Sequence, residues 1–67
     1  MMKPETKNVL LKAYAQLHQI TEELYSASDK AVENNDFEDA SLLASRADRL
    51  YEEIENLEIV ISEQEEI

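Results

Sequence analysis

Ala40, Leu43, Ala47, Leu50, Ile54, Leu57 and Ile61 follow one another at alternating intervals of three and four residues. That rhythm keeps one apolar seam on one side of an α-helix, the arrangement of a helix packed lengthwise against another. A strand would need alternation every second residue, which this stretch lacks. The chain must therefore supply a second helix long enough to cover the seam.

The sequence upstream does so. Leu10, Leu17, Leu24 and Ala31 recur every seventh residue, with Ala13, Ile20 and Ala27 at the intervening positions. Together they predict a matching a/d seam on a first helix spanning about 4–33. Pro4 suits the first turn, where its missing N–H has no partner to lose. Glu5 stands at the favourable end of the helix dipole. Asn34-Asn35-Asp36 is the one convincing interruption. Asn and Asp tolerate left-handed backbone and cap helix starts. Asn35 as cap with Glu38 three residues on reads as a variant capping box for a second helix over about 36–63, and residues 64–67 are expected to fray.

Two long helices joined by two or three residues lie antiparallel. The expected fold is thus all-α: an antiparallel two-helix hairpin forming a single domain over 1–67 and dimerising into a four-helix bundle. Residues equidistant from the turn oppose one another, Leu17 facing Ile54 and Ala31 facing Ala40 for example. The same register brings Lys3, Lys7 and Lys12 beside Glu58, Glu63, Glu65 and Glu66.

Composition agrees with a helical chain and narrows its function. There is no glycine, one proline and no cysteine, so no disulfide or thiolate metal site can staple so small a core. Apolar runs reach three residues (Val9-Leu10-Leu11, Ile59-Val60-Ile61), which excludes a membrane-spanning helix. Met1-Met2-Lys3-Pro4-Glu5 leads into a polar stretch without an apolar secretory core, so the expected location is the cytoplasm. A formal charge of −10 argues against direct binding of nucleic acid or an anionic membrane. The charge is uneven: residues 1–34 hold four lysines against five acids, and residues 35–67 hold two arginines against eleven.

Beside its seam, the first helix carries a second charge-free stripe of Leu11, Tyr14, His18, Thr21, Tyr25, Ser28 and Val32. The second helix extends it through Phe37, Ala44 and Tyr51. A solvated face of so acidic a chain would carry Glu and Lys instead. A lone hairpin also buries only one stripe per helix, which seldom offsets the ordering entropy of its residues. The expected interface therefore comprises Leu11, Tyr14, His18, Thr21, Tyr25, Val32, Phe37 and Tyr51, with a second copy or a different protein as occupant.

His18, the one histidine, is the only candidate for proton chemistry near neutral pH. It reads as an amphipathic interface residue first and a pH-sensitive one second. Glu22-Glu23, Glu52-Glu53 and Glu65-Glu66 fall on outward positions, and no Glu-x-x-His motif accompanies them, so no metal site is expected. With no nucleophile–base pairing and no glycine-rich phosphate loop, neither an enzyme nor a bound cofactor is expected. Asp39, Asp48, Glu52, Glu53 and Glu55, with Asp36 and Glu38 at the helix start, form an acidic surface that either keeps the protein soluble or meets a basic partner.

In length and layout the expected architecture resembles the small plasmid-encoded helical-hairpin dimers that bind RNA in copy-number control. Those proteins use a basic, aromatic face, so the likeness implies a dimeric hairpin and not RNA binding. Residues 43–50, Leu-Ala-Ser-Arg-Ala-Asp-Arg-Leu, resemble the signature helix of short sporulation aspartyl-phosphate phosphatases, with Ala44 where that family has a serine four before Asp48. Three functions follow as expectations. The first is a small acidic regulatory or adaptor protein acting by protein–protein binding as a dimeric hairpin. The second is a nucleic-acid-mimicking inhibitor of a DNA- or RNA-binding protein. The third is a small subunit or chaperone-like partner of a larger protein.

Overall fold

The fold is that of a computed structural model describing residues 2–65, with the side chains of residues 64 and 65 outside the description. Two helices, α1 (Pro4–Glu33) and α2 (Phe37–Glu65), pack against each other as an antiparallel hairpin. The hairpin measures 50 × 15 × 12 Å.

Pro4 opens α1, and the Lys3 carbonyl accepts the first helical bond, from the Lys7 N–H at 3.0 Å. The helix stops at Asn34 because Asn35 turns left-handed, with φ of 63°. From there the Asn35 N–H bonds back to the Val32 carbonyl at 3.0 Å and the Asp36 N–H to Ala31 at 2.8 Å. Those two bonds define a Schellman close, with Asn where glycine is usual. Asp36 then begins α2 directly: its carbonyl accepts the Ala40 N–H at 2.9 Å. The expected cap at Asn35 is therefore displaced by one residue. Asn35 is spent on the left-handed corner, and Asp36 takes the cap position. Glu38 and Asp39 follow in the first turn of α2, at the favourable end of its dipole.

On α2 the seam falls where the heptad predicts. Ala40, Ala47, Ile54 and Ile61 are buried, and Leu43, Leu50 and Leu57 are half-buried beside them. On α1 it does not. Leu10, Leu17, Leu24 and Ala31 are half-buried as expected, but their companions are Tyr14, Thr21 and Ser28, with Thr21 and Ser28 buried. Ala13 and Ala27 sit at the flank, and Ile20 is 46% exposed. The helix is rotated so that the seam lies between the leucines and the small hydroxyl residues.

Satisfied hydroxyls make that rotation possible. Ser28 Oγ donates to the Ala40 carbonyl across the helices at 2.8 Å, and Thr21 Oγ1 donates to Leu17 one turn back at 2.7 Å. A buried hydroxyl with a partner costs little, and two small side chains let the backbones approach as closely as alanines do. No buried side-chain nitrogen or oxygen lacks a partner among the described residues.

Expectations at the open end fall partly out of view. Glu66 and the side chain of Glu65, expected beside the lysines, lie outside the described residues, as does most of the tail expected to fray; α2 itself continues to Glu65.

A hairpin of this shape is all flank. A compact domain of 67 residues has a radius of gyration of about 11 Å, and here it is 15.3 Å. The accessible surface is 5250 Å², roughly 900 Å² above what a compact monomer of 7.7 kDa exposes.

Candidate functional site

Because α1 pairs through the middle of its uncharged arc, the remainder splits into two flanks on opposite broad sides of the hairpin. Three observations show which part of α2 joins each. Tyr25 O–H donates to the Asp48 carboxylate, and Tyr51 lies close enough to act on Tyr25 electrostatically. Leu11 and Tyr14 line a cleft with Glu58, Ile61 and Ser62. Residues 44, 51 and 58 follow the buried 40, 47 and 54 by four, whereas Leu43, Leu50 and Leu57 follow them by three and fall on the other side.

The first broad side is aromatic. Leu11 is 42% exposed, Val32 49%, Phe37 62% and Tyr51 46%, values that leave each with substantial free surface. Tyr14 and His18 stack edge to face with ring centroids 4.8 Å apart, both half-buried. The Tyr25 hydroxyl is held above its ordinary pKa, chiefly by its hydrogen bond to Asp48, then by desolvation and the charges of Asp48 and Tyr51. The cleft at Leu11 has a volume of about 160 Å³, well under the roughly 300 Å³ at which small-molecule pockets begin, and is suited to a single inserted side chain. Seven of the eight residues expected at the interface lie on this side. Thr21 does not: it is 3% exposed, inside the hairpin, because the seam runs through it.

The second broad side is built from residues that the heptad spacing alone places in the core. By their spacing Ala13, Ile20 and Ala27 of α1 fall on the same broad side as Leu43, Leu50 and Leu57, bordered by Arg46 and Glu53. Val9, 65% exposed, and Val60, 43%, stand towards the open end. A signal was present: Tyr14, Thr21 and Ser28 keep heptad spacing with the leucines as faithfully as Ala13, Ile20 and Ala27 do.

The acidic residues divide as well. Asp48, Glu52 and Glu55 share one stripe of α2 by their spacing of four and three, on the edge next to the aromatic side. Asp39 and Glu53 lie on the opposite edge with Arg46 midway between them, so they do not extend that stripe. Among the described residues no group of three His, Asp or Glu side chains converges as metal ligands would, and no helix is long and apolar enough to cross a membrane.

Comparison with protein-family models, with curated proteins and with solved structures finds no match to this chain. Its function has to be argued from these surfaces.

Proposed function

We propose that this chain is a small, non-enzymatic regulatory or adaptor protein of the cytoplasm that acts as a dimeric helical hairpin through protein–protein binding. One observation carries the reading. A chain of net charge −10 keeps exposed, on one broad side and from both helices, Leu11, Tyr25, Val32, Phe37 and Tyr51. Tyrosine and phenylalanine are enriched at the centres of protein interfaces, and charged residues are depleted there. The carboxylates at the edge of this side suit a partner whose rim is basic, which would speed association and make it salt-sensitive.

The test is affinity capture from the source cell with the wild-type chain and a Tyr25→Glu/Tyr51→Glu variant of unchanged helicity. Loss of specific partners from the variant supports the reading. Identical captured sets would sink it.

The stripe of Asp48, Glu52 and Glu55 favours a second reading, an acidic mimic that occupies a nucleic-acid-binding surface. Reversing those three charges to lysine separates the two. The mimic loses its inhibitory effect on a DNA- or RNA-binding partner, whereas an aromatic-face interaction is weakened only at its rim.

A further inference from the structure

We infer that the second copy docks on the broad side opposite the aromatic face, with the two hairpins antiparallel and Ile20 on the two-fold axis. This rests on the dimeric reading above and assigns its surface. It leaves the aromatic side free for a different protein.

An isologous contact requires one patch to be complementary to itself after a half-turn. A two-fold axis across the hairpin, level with Ile20 and Leu50, exchanges residues equidistant from those two. On α1, Ala13 and Ala27 are each seven from Ile20, so each alanine meets the partner's other alanine. On α2, Leu43 and Leu57 are each seven from Leu50 and exchange in the same way. Arg46 and Glu53 lie on either side of that level, so the axis sets each against its opposite charge in the partner, twice. The Tyr25–Asp48 and Ser28–Ala40 bonds fix the register of the helices and place Ile20 and Leu50 at about the same height.

Exposure agrees with that pattern. Ile20 is 46% exposed, Ala13, Ala27 and the three leucines are half-buried, and Arg46 and Glu53 are exposed. Ile20 meets its own copy on the axis, and the alanines seven residues to either side keep the flanks of the two α1 helices small. Towards the rim, the same axis brings Gln16 level with the partner's Glu23, and Lys30 and Asp39 level with the partner's Val9 and Val60. On the aromatic side a half-turn level with Thr21 and Glu22 exchanges Leu11 with Val32 and His18 with Tyr25, but it sets Phe37 against the end of α2 that carries Glu58 and Glu63. The surplus of roughly 900 Å² of surface is also close to the ~800 Å² that each partner loses in a standard interface.

Sedimentation equilibrium on the full chain, with helicity followed by circular dichroism, tests the inference. Arg46→Glu and Glu53→Arg should each raise the dimer dissociation constant about tenfold, since each turns two attractions into repulsions. The double variant Arg46→Glu/Glu53→Arg restores the pairing with signs exchanged and should return to within about threefold of wild type. Ile20→Glu should give a helical monomer. A dimer that survives Ile20→Glu and ignores the charge exchange, yet is lost in Tyr25→Glu/Tyr51→Glu, overturns the inference and leaves the dimeric reading standing on the aromatic face. A wild-type chain that is a well-folded monomer at micromolar concentration overturns both.

Discussion

Asn35 is the residue on which the topology turns. Its φ of 63° lies where an L-residue other than glycine, Asn or Asp pays about 1–2 kcal/mol. Asn35→Gly should therefore keep the hairpin and raise its melting temperature slightly, whereas Asn35→Val should destabilise it by about 1–2 kcal/mol in denaturant titrations. Tyr25 gives a second prediction, with a definite sign. Its folded-state pKa is raised by Asp48, so its contribution to stability is complete below the ordinary tyrosine value of 10.0 and is lost as pH climbs through the raised one. Thermal melts across that range should show an alkaline loss that is smaller in Tyr25→Phe. Tyrosinate absorbance should lose, in the same variant, a component that titrates above 10.0. A Tyr25→Phe curve that is lower in amplitude but unshifted in midpoint would show that the Asp48 bond is not kept in solution. Both features are only half legible in the chain. The Asn-Asn-Asp run announces a corner, but which residue turns left-handed depends on where α1 closes its Schellman bonds.

At the scale of the helix, α2 reads correctly and α1 is rotated by about a seventh of a turn, its leucines joined at the seam by Tyr14, Thr21 and Ser28 instead of Ala13, Ile20 and Ala27. The difference lies in what each offers the seam. Beyond its leucines on one edge α2 carries Asp39, Arg46 and Glu53, and on the other edge Asp48, Glu55 and Glu58, so a rotation either way brings charge towards the seam. α1 is charge-free across four adjacent heptad positions, and apolarity alone cannot choose among rotations. Ser28 decides it, through a hydroxyl bond to Ala40 that exists only once the helices meet, while Thr21 can be buried because Leu17 of its own helix accepts its hydroxyl. Packing at the seam should then be unforgiving. Ala47 is fully buried, and Ala47→Leu should push the helices apart at a cost of about 1–3 kcal/mol. Ile54, 2% exposed, is the largest fully buried side chain among the described residues, and Ile54→Ala should cost about 2–5 kcal/mol. Since a core this small supplies only about 3–5 kcal/mol in all, urea titration of Ile54→Ala should find it largely unfolded at room temperature. Ile20→Ser, by contrast, should leave the isolated hairpin's stability within about 0.5 kcal/mol.

For the whole molecule, elongation sets the energetics. A compact chain of about 60 residues buries about 60% of its unfolded surface, whereas 5250 Å² left exposed here corresponds to burial of only about half. Stability borrowed from a partner depends on concentration by mass action. The melting temperature should rise with protein concentration across the micromolar range, and Ile20→Glu should abolish that rise while retaining helicity. A melting temperature independent of concentration would mean that the hairpin carries its own stability despite its shape.

Heptad spacing, the lack of glycine and a single Asn-Asn-Asp corner suffice to specify two helices, their lengths and their antiparallel pairing, because these depend on local propensity and on the period of apolar residues. The location of the acidic charge on α2 is equally local. Rotation of α1 about its own axis was decided by tertiary contact alone, since burial of a serine or threonine is favourable only where a carbonyl waits for its hydroxyl. That rotation has the larger consequence for function. It takes Thr21 into the core and turns Ile20 outward, so that one uncharged arc becomes two separate surfaces on opposite sides of the hairpin.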